Sequence, residues 1–88
     1  MQERHQALYK RLNDAFTALQ HTEDIQARST LWKFYHTARN IWTELDKEMV
    51  NCRRRNMVTP KYTDLERLFE EHLSIFEQWI TMSALIHT

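Results

Sequence analysis

The sequence predicts an all-α fold, either a three-helix antiparallel bundle or a long helical hairpin preceded by an N-terminal helix, with coiled-coil-like seams. Three observations carry this. Apolar residues recur at alternating three- and four-residue steps through most of the chain. No segment alternates with the period of two that a half-buried strand needs. The chain also contains no glycine, where average usage would supply about six. Gly-built hairpin turns are therefore absent, as are nucleotide-binding glycine loops and the G-x-S-x-G elbow.

The first helix is expected over residues 3–20. Leu8, Leu12, Ala15 and Leu19 form its stripe, with Tyr9 and Phe16 alongside. Between Gln20 and Thr30 the stripe fails. Thr22 is the expected cap of the next helix, with Glu23 and Asp24 in its first turn, where carboxylates favour the positive end of the helix dipole. With no Pro or Gly in this stretch, a single helix from Glu3 to Arg55 is the alternative.

The second helix is expected over residues 23–56. Leu31, Tyr35, Ala38, Trp42, Leu45, Met49 and Cys52 follow a 4-3-4-3-4-3 spacing, and Phe34 and Ile41 widen the stripe. Pro60 disfavours helical geometry at Thr59. Thr63 and Glu66 then read as a capping box that opens a third helix over residues 61–87. Leu65, Leu68, His72, Ile75, Trp79, Met82 and Ile86 repeat the seam, with Phe69, Phe76 and Ile80 in a second row and Leu73 and Leu85 further round. At 1.5 Å per residue the helices are roughly 27, 50 and 37 Å long. The excess length of the second helix, the many aromatics and the uncharged stretch from Trp79 to Thr88 together predict a homo-oligomer, by default a C2 dimer.

Composition bounds the function. The chain of 88 residues is one domain, residues 1–88, with 12 basic and 12 acidic residues and 42% apolar content. A neutral balance argues against a dedicated nucleic-acid coat or a polybasic membrane anchor. One cysteine, Cys52, gives neither a disulfide framework nor a multi-Cys zinc site, and with no apolar leader it suits a reducing cytoplasm. No stretch approaches the ~20 apolar residues of a membrane span. A short chain lacking familiar motifs also suits a phage or mobile-element accessory protein.

No catalytic residue, metal ligand or cofactor site is expected. The five histidines (His5, His21, His36, His72 and His87) form no helical ligand pair at i, i+3 or i, i+4. The carboxylates are expected on solvated faces and Cys52 as a buried small apolar residue. The leading expectation is thus a non-enzymatic interaction or oligomerisation module. Its candidate oligomer interface is Leu31, Tyr35, Trp42, Leu45, Met49, His72, Trp79, Met82 and Ile86. Trp32, off the main seam beside Lys33, is the candidate anchor for a protein partner. The alternative is a small nucleic-acid regulator gripping phosphates with Lys47, Arg53, Arg54 and Arg55. The bland account of those arginines is a positive last turn at the negative end of a helix. A third reading is a metal-binding bundle using Glu66, Glu70 and His72. The third segment carries Lys61 and Arg67 against Asp64, Glu66, Glu70, Glu71 and Glu77, so it is the acidic helix, suited to docking on the more basic first two.

Overall fold

The computed structural model describes residues 2–86, the side chain of Ile86 excepted. Three helices follow in order: α1 (Gln2–Gln20), α2 (Ile25–Arg55) and α3 (Pro60–Ile86). They run up, down and up. His5 meets Asp46 and Phe16 meets Tyr35, so α1 and α2 are antiparallel. Thr59 meets Glu48 and Trp79 meets Phe34, so α2 and α3 are antiparallel too. The bundle measures 48 × 19 × 16 Å.

The helix ends differ from the expected caps. Asp24, not Thr22, caps α2: its carboxylate accepts from the Ala27 amide at 3.1 Å. The Thr22 hydroxyl instead donates back to the Ala18 carbonyl at 3.0 Å and helps close α1. A carboxylate also answers the positive helix end better than a hydroxyl does. The Thr63–Glu66 capping box does not form, because α3 starts a turn earlier. Pro60 occupies the first helical position, where its missing N–H costs nothing. Thr59 caps it by accepting from the Tyr62 amide at 3.2 Å. The Thr63 amide already bonds the Thr59 carbonyl at 3.2 Å, so Thr63 lies inside the helix.

The turn after α2 shows how a chain without glycine ends a helix. Asn56 adopts the left-handed conformation, φ 52° and ψ 40°. Its amide donates to the Arg53 carbonyl at 3.3 Å, and the Met57 amide donates to the Cys52 carbonyl at 3.1 Å. This is a Schellman closure with asparagine at the position glycine usually fills. Asparagine enters that region at lower cost than other residues with a Cβ.

The core takes Leu8, Leu12, Ala15 and Leu19 from α1. From α2 it takes Leu31, Ala38, Trp42, Leu45, Met49 and Cys52, and from α3 Tyr62, Phe69, Leu73 and Phe76. The α1 and α2 stripes are therefore those read from the sequence. On α3 the second row wins. The expected seam (Leu68, Ile75, Trp79 and Met82) stays outside, and Tyr62, Phe69 and Phe76 are buried. Aromatic side chains bury the larger apolar area. The same rotation brings the acids of α3 to the bases of α1. Arg4 bonds Glu66 at 2.9 Å and Glu70 at 3.0 Å, and Arg11 bonds Glu77 at 2.6 Å. These carboxylates thus bridge helices rather than line a solvated face. Being half-exposed, such pairs contribute about 0.2–1 kcal/mol each, enough to orient α1 but not to hold it.

The length mismatch between helices is smaller than the sequence suggests. α3 follows α2 from Glu48 to Phe34 and beyond, while Ile25, in the first turn of α2, is 83% exposed. The Asn56 turn yields a stability test. Asn56→Ala should lower unfolding free energy by about 1–2 kcal/mol and Asn56→Gly should raise it by about 0.5 kcal/mol, both measured by urea denaturation.

Candidate interaction surface

Two buried polar clusters sit at the end of the bundle that holds the α2–α3 turn. In the first, His5 is 7% exposed and stacks on Trp42 at 4.3 Å between ring centres. Its Nε2 lies 3.0 Å from Asp46 Oδ1 and its Nδ1 lies 3.2 Å from the Tyr62 hydroxyl. A carboxylate only accepts, so Nε2 carries the proton, and in the neutral ring the Tyr62 hydroxyl donates to Nδ1. In the second cluster, Glu48 is 6% exposed and accepts from Asn51 and from the Thr59 hydroxyl, both at 2.7 Å. The Thr59 amide points at Cys52 Sγ, 3.5 Å away. Among the described residues no buried side-chain polar atom lacks a partner.

These clusters fasten helices together. Hydrogen bonds from Asn51 and Thr59 hold the Glu48 carboxyl below the usual carboxylate range, helped by the charges of Lys61 and Arg55. Burial first, and then the Glu66 charge, pushes the Tyr62 phenol up to about 12. The sequence reading puts Glu48 with the other carboxylates on a solvated face, which its burial corrects, and it assigns no buried role to His5, Thr59 or Tyr62. A signal existed, because His5 extends the Leu8, Leu12, Ala15 stripe backwards at the same spacing.

The expected interface residues divide. Leu31, Trp42, Leu45 and Met49 lie in the core of the single chain, where they face α1 and α3. Tyr35 is half-buried between Phe16 and Phe76. His72 is half-buried, while Trp79 and Met82 are exposed; the Ile86 side chain lies outside the described residues. Trp32 is not a free anchor. It packs edge-on to Phe16 at 5.6 Å and to Tyr35 at 5.6 Å.

The phosphate-contact set also disperses. Lys47 bonds Glu44 at 3.4 Å on α2. The Gln2 amide oxygen, turned toward Arg53, accepts from its guanidinium at 2.8 Å. Arg53, Arg54 and Arg55 are all exposed, but at about 100° per residue three neighbours fan around the helix rather than forming one patch. Among the described residues no three His, Cys, Asp or Glu side chains come together as metal ligands. Among the described residues no helix is long and apolar enough to cross a membrane.

What remains is a stripe on α3. Leu68, Ile75, Trp79 and Met82 are 41%, 39%, 40% and 49% exposed, with Leu65 and His72 half-buried in the same row. The stripe lies on the side of α3 away from Arg4 and Arg11 of α1. Its Trp79 ring stacks on Phe34 of α2 at 5.6 Å and 25°. Comparison with family models, with curated proteins and with solved structures finds no match to this chain.

The clusters predict two pH effects. The raised Tyr62 phenol contributes stability that is complete below pH 10 and lost as pH climbs from 10 toward about 12. Tyr62→Phe should make that alkaline fall shallower and, by orphaning His5 Nδ1, lower stability at pH 7 by about 1–3 kcal/mol. Thermal melts across pH 7–12 measure both. The lowered Glu48 carboxyl contributes stability that is complete above pH 4.5 and lost as pH falls through the depressed pKa. Glu48→Gln should therefore flatten the acid side of the melting-temperature profile.

Proposed function

We propose that this chain is a non-enzymatic helical interaction module whose working surface is the apolar stripe of α3. The observation that carries the reading is the row Leu65, Leu68, His72, Ile75, Trp79 and Met82. It keeps a 3-4-3-4-3 spacing, and while Leu65 packs at the edge of the core, Leu68, Ile75, Trp79 and Met82 stand exposed outside it. Apolar residues scattered singly on a surface need no explanation, whereas a continuous row marks a contact surface. A tryptophan near the end of such a row is the residue type that most often dominates binding energy. Coiled-coil-like pairing is the mode that suits a period of three and a half residues.

The reading as a binding module rather than an enzyme draws on the polar groups. Among the most enclosed ones, Tyr62, Glu48 and Thr59 are spent on hydrogen bonds within the chain, and His5 is held between Tyr62 and Asp46 in the wall of an open surface groove, with no further base or nucleophile beside it among the described residues. The arginine cluster supports a nucleic-acid role less well, because Arg53 is engaged by Gln2 and its neighbours point apart.

A photoreactive residue tests the surface directly. Placed at Ile75, it should give discrete protein adducts in the cells that make this chain. Placed at Asn40, on the exposed side of α2, it should give none. Equal labelling from both positions, or labelling from neither, overturns the reading.

A further inference from the structure

The α3 stripe needs an occupant, and resting on the reading above we propose that it is a second copy of this chain, paired antiparallel through α3. In this register Leu65 packs against the partner's Met82, Leu68 against the partner's Trp79 and His72 against the partner's Ile75. By two-fold symmetry each contact occurs twice.

The period chooses a helix as the occupant. A straight α-helix drifts about 20° per heptad from a 3.5-residue repeat, so a stripe that holds that repeat over two and a half heptads faces a neighbour crossing at a shallow angle of about 20°. Such a neighbour needs the same repeat on its own surface, and α3 has it. The register follows from matching. Knobs at one class of position pack against the other class in an antiparallel pair. The stated alignment sets every stripe position from Leu65 to Met82 opposite another stripe position. Sliding by one heptad sets Trp79 against Lys61 and Met82 against the α2–α3 turn in one direction. In the other direction Leu65 has no stripe position opposite it among the described residues.

The flanks of the stripe choose the orientation. Along the open flank of the stripe lie Asp64, Glu71, Gln78 and Leu85, one heptad apart. A parallel pair would set Asp64 and Glu71 against the partner's Phe69 and Phe76 positions, a flank already covered by the partner's own core. The antiparallel pair sets Glu71 beside the partner's Gln78 and Asp64 beside the partner's Leu85. The neutral overall balance of 12 bases and 12 acids adds no long-range repulsion.

Area bounds the kind of interface. From Leu65 to Met82 the helix is about 27 Å long, and α3 with the adjoining edge of α2 at Phe34 is about 20 Å wide. That face covers roughly 500 Å² per copy, or about 1,000 Å² for the pair, which is the lower bound for a specific interface. An interface at that bound belongs to the weak, exchanging class. Trp79 is already held on Phe34 at 5.6 Å, so little side-chain freedom is lost when it docks.

Sedimentation velocity of the full chain from about 1 to about 200 μM tests the occupant. The expected result is a shift from monomer to dimer within that range. Ile75→Glu should weaken the dimer at least tenfold while circular dichroism shows unchanged helix content, since Ile75 lies outside the core. Cross-linking with a short bis-maleimide tests the register. A mixture of Leu65→Cys and Met82→Cys copies should give a cross-linked heterodimer, and neither variant alone should cross-link to itself. The buried Cys52 serves as its own control in the unmodified chain. Self-cross-linking of each variant alone would mean parallel pairing and overturns the proposal, as does a dimer that the mixed variants fail to capture. A chain that stays monomeric at 200 μM also overturns it. In that case, adducts from position 75 in cells would leave the α3 stripe as a docking surface for another protein, and their absence would remove that reading as well.

Discussion

Tyr62 is held at both ends. Its backbone amide is capped by the Thr59 hydroxyl, and its phenol oxygen meets His5. Through Thr59 it is tied to Glu48 on α2, and through His5 to both α1 and Asp46. One residue therefore sets the height of α3 against α2 and the height of α1 against both. The apolar contacts alone would tolerate sliding, because stripes of leucine and alanine are much alike from one turn to the next. Buried hydrogen bonds do not tolerate it. A slip of one turn would leave Glu48, His5 and the phenol unpaired at about 1–3 kcal/mol each. Burial supplies the stability of this bundle, and the polar clusters at one end select one alignment from those that burial would permit.

The two faces of α3 follow from the same alignment. With Tyr62 placed, Phe69 and Phe76 fall one and two heptads along and turn inward, and Leu73 completes the row. Glu66, Glu70 and Glu77 then fall beside α1, where Arg4 and Arg11 receive them. The row through Leu68, Ile75 and Trp79 is rotated away from α1. The helix thus carries two apolar faces, one satisfied within the chain and one not.

Much of this was legible in the residues. The three helices and the core stripes of α1 and α2 follow from spacing, with Pro60 marking the second break; the expected third-helix end at 87 lies outside the described residues. Which face of α3 turns inward does not follow from spacing. Leu65–Met82 and Phe69–Phe76 have compatible periods, and period says nothing about which row meets a neighbour. The polar clusters were equally hidden. Glu48 continues the Phe34, Ile41 row, and Tyr62 precedes Phe69 by a heptad, so position hints at burial. Identity of the partner is another matter, because His5 and Tyr62 are 57 positions apart and Glu48 and Thr59 meet across a turn. The caps misread for a related reason. Thr22, Asp24, Thr59 and Thr63 are all competent caps, and three-dimensional context picks among them.

The left-handed Asn56 has a bearing on the unfolded chain as well as the folded one. It shows that the left-handed backbone position among the described residues is filled without glycine. Glycine is the residue that loses most conformational freedom on folding, at roughly 0.5–1 kcal/mol more than alanine. A chain of this size with ordinary glycine content would carry about six, and the disordered ensemble it escapes would be larger by a few kcal/mol of entropy. The small bundle thus gains part of its margin by narrowing the alternatives to being folded, and a single asparagine in the turn is what makes that composition workable.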